Sequence, residues 1–177
     1  DVVIPPFVNN PQILGGKGGE LVDPETRHIF AYFRGSISWK ISKWHTAEMN
    51  YSRGVRDMIN RTYFNDDLFS LHQGSSANYI QEMESSVFCL APLGYALWNF
   101  RLFESVMLGC IPVIIADNIE LPFERQLDYR SFSVKVLETQ VGYLKDILLS
   151  IPKVEIRKKQ EMLKHVWKRF AYSNPTE

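Results

Sequence analysis

The sequence predicts an α/β fold, a parallel sheet with helices on both faces, and three observations carry that expectation. Short apolar strands alternate repeatedly with stretches of helical periodicity. The strands are nearly unbroken apolar runs, which suits a sheet covered on both sides. A chain of 177 residues with 45% hydrophobic and 13% aromatic content can bury one sizeable core.

Taken in order, residues 28–33 (HIFAYF) read as a strand, 51–63 as a helix, 68–71 as a short strand, and 76–85 as a helix with Tyr79, Ile80 and Met83 on one face. Residues 87–90 (VFCL) form the next strand, 100–108 a helix, 111–116 a strand and 132–137 a last strand. Helices over about 141–149 and 155–170 finish the chain. No internal repeat is visible. The GGKGG stretch at 15–19 has the composition of a phosphate loop but lacks the Ser/Thr after Lys and the flanking strand and helix, so it reads as a flexible loop.

Lys plus Arg and Asp plus Glu balance at 20 each, so overall charge argues for neither nucleic acid nor an anionic membrane surface. Any bound anion must be met by local groups. No stretch is long and apolar enough to span a bilayer, and DVVIPPFVNN lacks the basic start and apolar run of a signal peptide. Pro5-Pro6 after an apolar segment reads as a linker or lead-in, so residues 1–27 are expected to join the domain at 28–177 to a longer protein whose targeting signals lie upstream. His28, His45, His72 and His165 show no ligand spacing, and no metal is expected. Cys89 and Cys110 are too few for a disulfide framework; two buried thiols are expected, with one disulfide as the alternative. Asn60-Arg61-Thr62 fits a glycosylation sequon, whereas Asn174-Pro175-Thr176 is excluded by its proline.

Open parallel sheets bind ligands outside the carboxyl ends of their strands. The candidates there are Arg34-Gly35, residues 74–76, residues 91–99 (APLGYALWN) and Asp117-Asn118. Asn99 is a good N-cap, which puts Arg101 in the first turn of its helix, where the dipole disfavours a cation by a few tenths of a kcal/mol. A bound diphosphate would reverse that penalty, with Gly94 letting the backbone approach. Glu104 lies one turn on and on the same side, placed to accept both hydroxyls of a ribose; the alternative is an Arg-Glu pair on a solvated helix face. Arg34 is either solvated at the sheet rim or faces a phosphate. Arg53 and Arg56 (YSRGVR) are either basic residues of a surface helix or an electropositive helix start.

FRG at 33–35, YSRGVR at 51–56, YIQEMESSVFCLAPLGYALWNFRLFESVMLGCIPVIIADNIELPF at 79–123 and FSVKV at 132–136 together resemble the exostosin family, glycosyltransferase family 47. The resemblance runs from VIPP at 3–6 through the terminal helices, and its wording is nearest the plant branch with its xylan xylosyltransferases. It implies a Rossmann-like α/β domain, the C-terminal, donor-binding half of a GT-B glycosyltransferase whose N-terminal domain is not in this sequence. By that resemblance Arg34, Gly35, Arg53 and Arg56 line the diphosphate, Arg101 pairs with phosphate and Glu104 holds the ribose; the sheet-edge reading adds Gly94 and Asp117 to the expected donor site. The implied reaction is inverting transfer from a UDP-sugar to a polysaccharide or glycan hydroxyl, such as xylan or another hemicellulose, without a cofactor or metal. The base is left open between Asp117, Glu120 and a group outside the chain. A non-catalytic partner subunit of a glycosyltransferase complex is the alternative. The implied location is the Golgi lumen, on a type II membrane protein anchored by a segment outside these residues. Trp98-Asn99-Phe100 stands where many plant members have Trp-Ser, and Ser105 replaces a commoner small residue after the glutamate; neither change removes a charge, but both bear on sugar preference.

Overall fold

Five parallel strands in the order β2-β1-β3-β4-β5 form the centre of the computed structural model, which describes residues 3–8, 13, 24–37 and 51–172. The elements are β1 (Ile29–Arg34), α1 (Val55–Tyr63), β2 (Phe69–His72), α2 (Tyr79–Glu84), β3 (Ser86–Pro92), α3 (Phe100–Met107), β4 (Ile111–Ile115), β5 (Val134–Lys135), α4 (Leu144–Leu149) and α5 (Lys153–Val166). The α/β expectation holds. The GGKGG stretch and the excluded Asn174 motif lie outside the described residues.

The strand order reverses between β1 and β3. The chain leaves β1 outward to β2 and then returns across it, so right-handed crossovers set α1 on one face and α2 and α3 on the other. Contacts agree: α1 packs with the 3-10 segment Glu138–Tyr143, whereas α3 lies on β3 and β4 with α5 against it. β4 (IPVII) is buried at every position, as a central parallel strand between two helical layers should be. Phe103, Phe132 and Phe170 are among the largest fully buried side chains, and Phe170 meets Phe103, Phe123, Tyr129 and Phe132 in ring contacts.

The first residues are tied to this core. Val8 and Ile13 are buried in it, and the Tyr172 hydroxyl donates to the Pro5 carbonyl. Arg27 is buried at the amino edge, where its guanidinium donates to the carbonyls of Met83 (3.2 Å), Ser86 (2.8 Å) and Leu108 (2.9 Å). Burial lowers its pKa to about 10, against a pull upward from Glu84.

Three expectations are corrected. The helix expected over 51–63 begins only at Val55, because Ser52 (φ 52°), Arg53 (φ 48°) and Gly54 (φ 79°) are left-handed. Tertiary bonds hold that turn: the Ser52 N–H donates to the Gly94 carbonyl (3.2 Å) and its Oγ accepts the Arg56 N–H (3.2 Å). The strand expected over 132–137 shrinks to Val134–Lys135, since the N–H groups of Phe132 and Ser133 turn back to the Tyr129 carbonyl. The cysteines are bonded, Cys89 to Cys110, with Cα atoms 5.8 Å apart. Cys89 sits opposite Pro112 in the β3–β4 ladder, and Cys110 lies two residues before Pro112 on the same face. Sheet pairing makes these neighbours, and linear spacing does not reveal it.

The disulfide closes a loop with a sequence separation of 21 residues. Replacing both cysteines by alanine is expected to lower stability by about 3 kcal/mol through the freed unfolded chain. Denaturant unfolding with and without reductant checks this: reduction should destabilise the native protein and leave the double variant unchanged.

Candidate functional site

Two helices begin at the crevice where the strand order reverses, and each carries an arginine at its second position: Arg56 in α1 and Arg101 in α3. The side chains converge on Phe33 of β1, whose ring centroid lies 5.4 Å from the Arg56 guanidinium carbon and 4.5 Å from that of Arg101. Among the described residues neither arginine forms an ion pair. Two cations and two helix starts therefore share one apolar ring, an arrangement that favours an anion.

The two arginines do different work. Arg56 is buried and donates to the carbonyls of Leu93 (2.9 Å), Ser36 (3.0 Å) and Pro92 (3.2 Å) and to the Tyr51 hydroxyl (2.6 Å). Its pKa falls to about 10, mainly through burial; Tyr51 opposes the shift and the like charge of Arg101 adds to it. It clamps the loops after β1 and β3, and almost all its donors are spent. Arg101 donates one Nη2 hydrogen to the Arg34 carbonyl, while its Nε is buried without a partner among the described residues. Arg101 thus leaves most of its donors uncommitted within the described residues, the Nε among them shielded from solvent.

Glycines make room for both. A Cβ on Gly35 would lie 2.7 Å from Arg101 Nη2, and one on Gly94 would lie 2.9 Å from Arg56 Nη2. Asn99 caps α3 as expected, accepting the Leu102 N–H (3.2 Å), and its amide donates to the Pro92 carbonyl (3.1 Å), so helix start and loop are held together.

Glu104 makes no pair with Arg101. Its Oε2 accepts the Tyr79 hydroxyl (2.6 Å), and the carboxylate is half-buried, so the solvated Arg-Glu pair is not formed. Arg34 is neutralised within the chain: Nε and Nη2 reach the two oxygens of Glu82 at 2.8 and 3.0 Å. Tyr32 and Ser76 also donate to Glu82 (2.5 and 3.1 Å). Arg53 is exposed and paired with Glu138 (2.9 Å), whose Oε1 also accepts the Asp117 N–H (2.8 Å). The Asp117 carboxylate in turn accepts the Glu138 N–H (3.3 Å). Every expected residue thus lies at the carboxyl edge. Arg34, Gly35, Arg56, Gly94 and Arg101 are linked by direct contacts, whereas Arg53 and Asp117 form a separate group around Glu138. Sequence reasoning missed Tyr51, Tyr79, Glu82 and Glu138. Only the register of Glu82 on α2, on the face shared with Tyr79, hinted at any of them.

Burial by itself would raise the Glu82 pKa, but the bonds from Arg34, Tyr32 and Ser76 outweigh it and hold the carboxyl below its ordinary range. A lowered folded pKa contributes stability above the unfolded value, about 4.3, that is lost as pH falls through the folded one. Glu82→Gln is expected to cost about 1–2 kcal/mol at pH 7, reduced for solvent at its rim. Unfolding measured from pH 7 down to 3 should show the two proteins converging at the acid end.

The Exostosin GT47 domain model matches residues 1–151. Similar curated proteins include the probable glucuronosyltransferase GUT1 of Oryza sativa subsp. japonica, 40% identical over 163 residues, covering 92% of this chain and 38% of the relative. The probable glucuronoxylan glucuronosyltransferase IRX7 of Arabidopsis thaliana is 42% identical over 148 residues, covering 84% of this chain and 32% of the relative. The probable beta-1,4-xylosyltransferase IRX10 of Arabidopsis thaliana is 38% identical over 163 residues, covering 92% and 38%. The chain therefore spans under two-fifths of the length of these relatives.

Proposed function

We propose that this chain, which belongs to the exostosin GT47 family, is the nucleotide-sugar-binding half of an inverting GT-B glycosyltransferase acting from a UDP-sugar on a glycan hydroxyl. The observation that carries the reading is the convergence of two helix starts, Arg56 and Arg101 on Phe33 with Glu104 one turn further along α3. The names of the plant relatives favour xylan or another cell-wall hemicellulose as the acceptor class.

In this reading Arg101 contacts the diphosphate, Arg56 adds charge while holding the loops, and Glu104 takes the ribose hydroxyls. The acceptor oxygen attacks the anomeric carbon opposite the diphosphate, the carbon–oxygen bond to the diphosphate breaks, and the leaving UDP carries the electron pair into the field of Arg101 and the α3 start. The acceptor proton goes to a base. Asp117 is engaged with Glu138, and Glu120 is exposed beside the apolar groove of Pro5, Trp98 and Leu121, so a facing domain is the proposed source of that base. Neutralisation by arginine makes the transfer metal-independent in this proposal. The Cys89–Cys110 bond supports an oxidising compartment, which accords with a Golgi lumen and a membrane anchor outside these residues.

Removing the Glu104 carboxylate should weaken UDP binding at least about tenfold, because ribose hydroxyls would lose charge-assisted partners in a partly desolvated site. Calorimetric titration of UDP into native and Glu104→Ala protein, with melting temperatures as the folding control, tests it; equal affinities would remove Glu104 from the donor site.

The 177 residues alone are expected to bind UDP weakly and transfer no sugar, whereas the full-length protein should transfer sugar even in the presence of a chelator. A panel of UDP-sugars with oligosaccharide acceptors checks both. UDP binding by a full-length protein that transfers nothing would favour the partner-subunit role.

A further inference from the structure

Tyr79 opens α2, and its hydroxyl lies 2.6 Å from Glu104 Oε2 on a different helix. A glutamate on a partly solvated helix face ordinarily samples several rotamers, so a nucleotide that needs one of them must select it. Here one oxygen is already tied. The phenol is in turn held from behind: the Tyr79 ring lies 6.4 Å from that of Tyr32, whose own hydroxyl is bound to Glu82. Burial, opposed by Arg101 and reinforced by Glu104, pushes the Tyr79 pKa well above the ordinary phenol range. Its hydroxyl therefore remains a donor across the physiological pH range, and the bond to Glu104 Oε2 keeps its donor.

We propose that Tyr79 is a positioning residue that pre-orients Glu104, so that Oε1 and the remaining lone pair of Oε2 face the two ribose hydroxyls, and that it thereby sets the preference for ribose over deoxyribose donors. The inference rests on the donor-site reading above. Tyr79 touches Glu104, and the nucleotide is reached only through that carboxylate. The chemistry it controls is the geometry of two accepted hydrogen bonds, and a misplaced carboxylate forfeits most of their strength.

The test is titration of UDP and 2′-deoxy-UDP into full-length native protein, Tyr79→Phe, Glu104→Ala and the double variant. Phenylalanine keeps the ring against Tyr32, and melting temperatures report folding. Tyr79→Phe is expected to weaken UDP about fivefold and 2′-deoxy-UDP, which keeps only the 3′-hydroxyl for the carboxylate, about twofold, shrinking the ratio between the two ligands. In the double variant UDP should bind no worse than to Glu104→Ala, because Tyr79 acts through the carboxylate. Unaltered UDP affinity in Tyr79→Phe beside a tenfold loss in Glu104→Ala would overturn the positioning role and leave the donor site standing. An equal loss for both ligands would make Tyr79 a packing residue and overturn the proposal. Unaltered affinity in Glu104→Ala would overturn the donor site itself, and this inference with it.

Discussion

Buried arginines bonded to backbone carbonyls hold the two edges of this sheet, and the site depends on the one at the carboxyl edge. Irregular backbone after a strand has carbonyls that no ladder satisfies, and burying them unpaired is costly. Arg56 supplies donors to three carbonyls at or just beyond the strand ends, from Ser36, Pro92 and Leu93, and to the Tyr51 hydroxyl. One planar cation therefore ties the end of β1, the end of β3 and the turn before α1 into a single unit. Arg27 does the same at the amino edge for Met83, Ser86 and Leu108. In both cases burial lowers the guanidinium pKa to about 10, which still leaves the group charged at neutral pH.

The left-handed run at Ser52, Arg53 and Gly54 follows from that clamp. Non-glycine residues adopt such angles at a cost of about 1–2 kcal/mol each, so the conformation has to be held from outside. Ser52 is held through Gly94 and through the Arg56 N–H. The reward is positional: α1 starts where its first turn and Arg56 point at Phe33. From the opposite face α3 brings Arg101 to the same ring, with Asn99 fixing its start. Charge there is arranged unevenly. Arg34 is matched by Glu82 and Arg53 by Glu138, while Arg56 and Arg101 rest on carbonyls and an aromatic face. An electropositive centre bordered by neutralised pairs is suited to an anion, which supports the proposed diphosphate site.

Much of this was legible in the residues themselves. Alternating apolar runs and amphipathic stretches determined a parallel α/β sheet, since periodicity reports which faces are buried. Asn99 announced the start of α3, because N-capping is a local bond between a side chain and an N–H three residues on. The carboxyl-edge rule then placed Arg34, Gly94, Arg101, Glu104 and Asp117 on one rim, and the motifs of residues 79–123 identified the family.

Tertiary structure alone decided who pairs with whom. Glu82 lies 48 residues from Arg34, Tyr79 lies 25 from Glu104 and Glu138 lies 21 from Asp117, so no local spacing connects them. Arg56 and Arg101 look alike in sequence, each an arginine in the first turn of a helix. Only the packing of residues 92–94 against the first makes it a structural clamp and leaves the second with donors to spare. Cys89 and Cys110 are joined by the β3–β4 register, which two isolated cysteines do not disclose. The physical reason is common to all of these. Propensity, periodicity and capping act over a few residues and are written in the chain, whereas the partner of a buried charge or thiol is set by which strands become neighbours.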